Sequence, residues 1–362
     1  MSTPPKVPPP PLRRSVLRRL LAVTIALAGA VLLAEGLIRV RHWWKYGSFG
    51  EIYTFRVDEA SGLSVPPSGR NGSIEIDSRG FRNPELVMPK PAGALRLGFL
   101  GGSTTYCAEA SGNDRTWPAL VAAAVAKAHP DRAVDFVNAA VGGYSIEHSV
   151  RNFRHRLLAT APDVVVIYHL INDLTKDAGE SAKAAGVWKG PSKDWLEDHS
   201  MLWSIVKKNV LLKMRSEGNS AEVATKHDYD AENGAKRFED RLVALIEEVK
   251  KSTPLVAVAT FAHRVRAEQD QAARQEACKS SFYYMPFMTA DGILEGVAAY
   301  NAAIRRAAQR TGALLIEGEE RIPADAEHYN DSVHFRDAGC AAMAARVSEA
   351  LLRDGVLPKL GR

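Results

Sequence analysis

Hydrophobic positions along this chain fall into two regimes. The first is a run from Leu20 to Ala34 without a charged residue, extended by Glu35-Gly36-Leu37-Ile38 to nineteen residues, close to the roughly 20 a helix needs to cross a bilayer. The second begins at Leu95, where short apolar runs alternate with stretches whose apolar residues recur at helical spacing. Leu95–Leu100, Val134–Val137, Val164–Tyr168, Leu255–Thr260 and Ala313–Ile316 read as five buried strands. Helices are predicted from Thr116 and Pro118, along Ile146, Val150, Phe153 and Leu157, along Phe238, Leu242, Leu245, Ile246 and Val249, and along Val297, Tyr300, Ile304 and Ala307. A last helix runs from about Ala338 to Leu352 with Asp337 as its cap. Strands alternating with helices imply one doubly wound parallel sheet of the α/β class.

This pattern divides the chain into a basic segment 1–19, an apolar helix 20–38, a tether 39–93 rich in Gly, Pro and Ser, and an α/β domain 94–356. The tether carries one short alternating piece, Ser73-Ile74-Glu75-Ile76-Asp77. Two stretches interrupt the α/β rhythm. An insertion at 174–233 holds a basic amphipathic helix, with Leu202, Trp203, Val206, Val210 and Met214 against Lys207, Lys208, Lys213 and Arg215. Such a helix packs on the domain, acts as a lid or touches a lipid surface. The second interruption, His263 to Asp291, is aromatic around Phe282-Tyr283-Tyr284.

Charge sharpens the division. The formal net charge is +5, yet the first 46 residues hold Lys6, Arg13, Arg14, Arg18, Arg19, Arg39, Arg41 and Lys45 against Glu35 alone, so the remainder is net acidic. The basic excess therefore flanks an apolar helix, and nucleic acid is excluded as a partner. Five positive charges before the run, three after it, and Trp43, Trp44 and Tyr46 behind it predict a single-pass anchor with its amino end in the cytoplasm. Ala26-Leu27-Ala28 and Ala28-Gly29-Ala30 also resemble cleavage sites of a signal peptide. On either reading the domain lies outside the cytoplasm, on an inner membrane's periplasmic side. The three cysteines, Cys107, Cys278 and Cys340, leave one thiol over whatever pairs, and a Cys107–Cys278 bridge stays open.

In open parallel sheets ligands sit outside the carboxyl ends of the strands. There the chain places Ser103 after the first strand and Asn138-Ala139-Ala140-Val141-Gly142-Gly143-Tyr144 after the second. His169-Leu170-Ile171-Asn172-Asp173 follows the third strand and Asp331-Ser332-Val333-His334 the fifth. Taken singly, Ser103 reads equally as a helix cap or part of an anion nest, Gly142-Gly143 as a plain turn, Asn172 as a loop residue and Asp331 as an Asx turn. Together they supply what acyl transfer needs: a hydroxyl, an imidazole to take its proton, a carboxylate to orient the imidazole, and donors for an oxyanion. The Walker, G-x-G-x-x-G and G-x-S-x-G patterns all fail around Gly101-Gly102-Ser103. No H-E-x-x-H or Cys/His ligand spacing occurs, so neither metal nor other cofactor is expected.

Gly101-Gly102-Ser103-Thr104-Thr105, Asn138 to Gly143, Leu170 to Asp173 and Asp331 to His334 together resemble the four ordered blocks of the SGNH (GDSL-like) hydrolases. The resemblance runs from about Leu95 to Leu352 and includes Tyr300-Asn301, while Arg79-Gly80-Phe81-Arg82 resembles the membrane-attached bacterial branch. It implies a flavodoxin-like three-layer α/β/α sandwich with strand order 2-1-3-4-5, and ester hydrolysis or acyl transfer. By motif position it makes Ser103 the nucleophile, His334 its base and Asp331 the base's partner. The oxyanion donors would be the Ser103 and Gly143 backbone N–H groups and the Asn172 side chain. Two departures stand out: Gly102 replaces the Asp of G-D-S, and Leu170 replaces the Gly of G-x-N-D, adding bulk beside the oxyanion hole.

The expected protein is a membrane-anchored serine esterase that removes or moves small acyl groups on a cell-envelope glycan or lipid. An envelope polysaccharide O-acyltransferase is the alternative, and a catalytically silent carbohydrate-binding scaffold the third. Trp195, Trp203, Tyr283 and Tyr284 offer flat faces on which a pyranose ring stacks.

Overall fold

Leu95–Gly101 (β5) is buried at every position, because it is the inner strand on which two others pair. In the computed structural model, which describes residues 14–46, 56–58, 60, 62–65, 67–190, 195–207 and 226–357, β5 pairs in parallel with Val134–Asn138 (β6) and Val164–Tyr168 (β7). Leu255–Ala259 (β8) and Leu314–Ile316 (β9) extend the sheet in the order β6-β5-β7-β8-β9. That is the order 2-1-3-4-5. The uninterrupted Val, Ile and Leu of these strands are what a sheet covered on both faces demands. The register aligns Phe99 with Asn138 and Gly101 with Tyr168, so the segments after β5, β6 and β7 leave the sheet at one edge.

Helices cover both faces. Trp117–Ala128 (α3), capped by Thr116, whose hydroxyl accepts the Ala119 N–H, packs against the last helix, Asp337–Leu351 (α12). Ala231–Lys250 (α8) and Ala290–Thr311 (α11) pack on each other, and Ile146–Asn152 (α4) and Ile171–Ala184 (α5) join them. An aromatic series crosses the core: the Trp117 ring meets Phe99 edge-on at 5.1 Å and Tyr168 at 6.0 Å, and Tyr168 stacks on Phe261 at 4.8 Å.

Four details depart from the sequence reading. The helix expected along Ile146 to Leu157 is α-helical only to Asn152, and a wider π turn, Phe153–Leu157, then keeps both Phe153 and Leu157 in the core. The insertion expected from Leu174 opens instead with α5, a core helix whose buried stripe of Leu174, Ala178 and Ala182 is too small to stand out in hydropathy. Asp337 does not cap α12: Arg336 holds the N-cap position, and the Asp337 carboxylate accepts from the Ser111 N–H and hydroxyl. The stretch 39–93 is not only a tether. Its first part continues the amino-terminal helix to Tyr46, and further on Arg56–Asp58 (β1) pairs with Gly62–Ser64 (β2) and Arg70–Asn71 (β3) with Ile74–Glu75 (β4). Val65, Ile74 and Ile76 then form a small second core with Tyr106, Ala140, Val141 and Tyr144.

All three cysteines are free and buried. The Cys107 side chain meets Cys340, so the Cys107–Cys278 pairing left open above is not the contact that forms.

The chain separates into two compact units, Met1–Glu51 with Lys193–Leu211, and Ile52–Ser192 with Leu212–Arg362. The first contains Arg14–Tyr46 (α1), whose stretch Val16–Trp44 is long and apolar enough to cross a membrane and whose most apolar window buries nothing. It also contains Trp195–His199 (α6) and Met201–Val206 (α7), with α7 packed on α1. Lys6 and Arg13 of the basic segment, and Lys208, Val210, Lys213, Met214 and Arg215 of the expected amphipathic helix, lie outside the described residues.

Candidate active site

The Gly101-Gly102 turn carries the chain from β5 into a single helical turn, Ser103–Tyr106 (α2). So short a helix satisfies almost none of its own carbonyls. The Ser103 carbonyl takes the Cys107 N–H, and those of residues 104 to 107 draw on side chains from elsewhere, the Cys107 carbonyl also accepting the Ala110 N–H at 3.0 Å. Trp117 Nε1 donates to Thr104 O at 3.1 Å and Asn138 Nδ2 to Thr105 O at 3.0 Å. The buried Arg82 guanidinium donates to Tyr106 O at 2.8 Å and Cys107 O at 2.5 Å. The helix that opens with Ser103 is thus held by α3, by the end of β6 and by the Arg79-Gly80-Phe81-Arg82 segment. The sequence drew attention to that segment without giving it a role.

Glycine is required at both positions before Ser103, for steric reasons. A Cβ on Gly101 would lie 2.1 Å from Thr105 Oγ1 and 2.8 Å from Tyr168 O. On Gly102 it would lie 2.6 Å from Asn172 Nδ2 and 3.1 Å from Tyr144 O. At Gly102, which replaces the Asp of the G-D-S block, the Asn172 amide occupies the space a side chain would take.

Ser103, His334 and Asp331 are brought together. His334 Nε2 lies 2.8 Å from Ser103 Oγ, across 231 positions of chain, and His334 Nδ1 lies 2.7 Å from Asp331 Oδ2. Asp331 Oδ1 accepts the Val333 and His334 N–H groups at 2.8 and 2.9 Å. Asp331 is thus an Asx-turn former and the imidazole's partner at once, one oxygen serving each. Burial pushes Asp331 up, but His334's hydrogen bond and charge and the two backbone N–H bonds outweigh it and hold the carboxyl below its ordinary value. Burial likewise pulls His334 down, and the Asp331 bond and charge, helped by Glu109, raise it above 6.5.

The donors expected for an oxyanion lie around the same turn. Asn172, in the first turn of α5, gives one Nδ2 hydrogen to Tyr144 O at 2.9 Å, which leaves its second N–H for another acceptor. Tyr144 follows Gly143, which has φ +80° and open space where a side chain would stand. Only glycine enters that conformation without strain. Asp173 ties the two segments from behind, accepting the Ile146 N–H at 3.2 Å. Burial pushes Asp173 up to about 7, against the pull of Arg241, and pushes the neighbouring His169 down to about 3. His169 Nε2 lies 2.7 Å from Ser149 Oγ. Leu170, expected beside the oxyanion hole, is buried in the main core with extended φ of −174°, a backbone angle open to any residue.

Sequence reasoning missed Arg82, Trp117, Glu109 and Asp173 as parts of the site. Arg82 and Asp173 carried a local signal, as members of quoted motifs, whereas Trp117 and Glu109 act through contacts that exist only once the strands are aligned.

The family model of the GDSL-like lipase/acylhydrolase family matches residues 99–342. No curated protein matches the chain. Among solved structures, the acetylxylan esterase Axe2 of Geobacillus stearothermophilus is 17% identical with a TM-score of 0.43, over 73% of this chain and 96% of that one. LAE5, an alpha/beta hydrolase enzyme from the metagenome of Lake Arreo, Spain, is 16% identical with a TM-score of 0.44, over 74% and 98%. A two-domain esterase active on acetylated mannans is 17% identical with a TM-score of 0.42, over 74% and 52%. The match of residues 99–342 spans most of the chain, and the chain belongs to the GDSL-like lipase/acylhydrolase family, enzymes that hydrolyse ester bonds.

Proposed function

We propose that the protein is a serine esterase in which Ser103 is the nucleophile, His334 the general base and Asp331 the group that orients and charges the base. The observation that carries this reading is the hydrogen-bonded series Ser103–His334–Asp331. In the first half-reaction Ser103 Oγ attacks the ester carbonyl while His334 Nε2 takes its proton. The charge that develops on the carbonyl oxygen is received by the Ser103 and Gly143 N–H groups and Asn172 Nδ2, each donor worth about 2.7–4 kcal/mol of the barrier. Collapse breaks the ester C–O bond, and His334 returns its proton to the leaving alcohol. Water then repeats the sequence on the acyl-enzyme and frees the acid.

For the substrate we infer a small acyl ester on an envelope glycan, outside the cytoplasm. This rests on α1 as an anchor and on the exposed Tyr283 and Tyr284, 47% and 58% accessible with rings edge to face at 4.8 Å. Burial, with smaller contributions from the Tyr283 and Asp331 charges, raises the Tyr284 phenol. The same pair favours a second reading, acyl transfer to a sugar hydroxyl stacked there. The deciding experiment follows p-nitrophenyl acetate turnover with and without a glycan acceptor. Ser103→Ala and His334→Ala should each lower kcat/KM by at least about 10³, with the double variant little worse. Full activity in Ser103→Ala would overturn the mechanism. Capture of most of the acyl group by the acceptor, lost in a Tyr283→Ala, Tyr284→Ala variant that still hydrolyses, would replace the esterase with a transferase.

A further inference from the structure

The apolar helix α1 contains one acidic residue, Glu35, and its carboxylate is fully used. Oε1 accepts Arg39 Nε at 2.7 Å and the Met201 N–H at 3.0 Å, and Oε2 accepts the Ser200 hydroxyl at 3.0 Å and the Leu202 N–H at 2.9 Å. Arg39 Nη2 in turn donates to the His199 carbonyl at 3.1 Å. Glu35 thus fills the orphan donors that open α7, and Arg39 takes the last carbonyl of α6. A carboxylate and a guanidinium in a segment this apolar are costly unless each finds partners. Here they find each other and the two ends of a helix–helix corner contributed from 160 or more positions away.

The faces this corner leaves uncovered are apolar. Trp195 is 68% exposed, Leu196 46% and Ile205 43%, in the same compact unit as the exposed Leu37, Val40, Trp43 and Trp44 of α1. Tryptophans with leucine and isoleucine, on short helices fastened to the end of a long apolar one, match the chemistry of the boundary between lipid head groups and acyl chains.

We propose that Trp195–Val206 is an interfacial membrane segment, seated in the surface of the bilayer that α1 crosses and fastened to α1 by Glu35 and Arg39. The proposal rests on α1 being a membrane anchor. It assigns the partner as lipid and gives this part of the insertion a role in holding the enzyme at the membrane.

The test is spin-label accessibility on the full chain reconstituted in vesicles of phosphatidylcholine and phosphatidylglycerol, with labels at Leu27→Cys, Leu196→Cys, Ile205→Cys and, as an aqueous reference, Glu268→Cys. Positions 27, 196 and 205 should collide several-fold more with oxygen relative to a nickel chelate than position 268 does. Labels 196 and 205 behaving like 268 while 27 stays in lipid would overturn the interfacial segment and leave the anchor standing. Label 27 behaving like 268 would remove the anchor, and the proposal with it. Shielding of 196 and 205 from both reagents would mean that a protein surface covers them, which also overturns the proposal. Glu35→Ala should move 196 and 205 toward the nickel chelate with 27 unchanged, and no movement would overturn the role of Glu35 as the fastening.

Discussion

A hydrogen-bonded Asp-x-x-His pair is a cheap local structure, and this chain makes it twice. Asp325 Oδ1 accepts the Glu327 and His328 N–H groups and lies 2.7 Å from His328 Nδ1, a pair like Asp331 and His334 except that one oxygen makes all three contacts where Asp331 uses both. What singles out the second pair is Ser103 at the far ring nitrogen. The residue types of the site were legible because each sits at a strand's carboxyl end, whereas Glu109 was not, since its influence on His334 depends on how α2 turns. That influence is measurable. A base must be neutral to act, and His334 is raised above 6.5, so the acidic limb of kcat/KM should have its midpoint above 6.5. Glu109→Gln should move that midpoint down with the plateau kept, and an unmoved midpoint would remove Glu109 from the account. The same shift fixes a stability sign: the His334–Asp331 pair stabilises fully below the free histidine value, loses that contribution as pH rises through the raised one, and at the acid end loses the Asp331 contribution as pH falls through its lowered one. Gly102→Ala should displace the Asn172 amide and lower kcat by about 10²–10³ with KM little changed. Wild-type kcat in that variant would mean that Asn172 is not an oxyanion donor.

The elements that matter most to the chemistry are the smallest. A four-residue helix has no stability of its own, and α2 persists because Trp117, Asn138 and Arg82 fill its carbonyls. Arg82→Ala should leave the buried Tyr106 carbonyl unfilled, with Cys107 O keeping the Ala110 N–H, and cost about 1–3 kcal/mol of stability, measured by denaturant unfolding, with kcat falling more than KM changes. Arg82→Lys should recover part of both. A variant as stable and active as the parent would show that α2 holds without this arginine. The five strands and the long helices were legible in the sequence because large apolar residues at periods of two or 3.6 announce them. The helix α5 was not, because alanines make its stripe. The packing role of Val65, Ile74 and Ile76 was not either, because isolated apolar residues among Gly, Pro and Ser read as tether until their partners Val141 and Tyr144 are in place.

At the scale of the molecule, the chain separates a sheet unit that carries Ser103, His334 and Asp331 from a helical unit that carries the apolar helix. Deleting residues 1–51 should leave thermal unfolding and ester turnover of the sheet unit unchanged, because none of its core or site residues comes from that segment. A collapse of either would show that α1 supports the fold. The proposed chemistry requires that His334 activate Ser103. Treating the full chain with a fluorophosphonate and locating the adduct by mass spectrometry checks this, since only an activated serine reacts. One adduct is expected, on Ser103, absent in His334→Ala. An unlabelled protein, an adduct on another serine, or equal labelling of Ser103 in His334→Ala would contradict it.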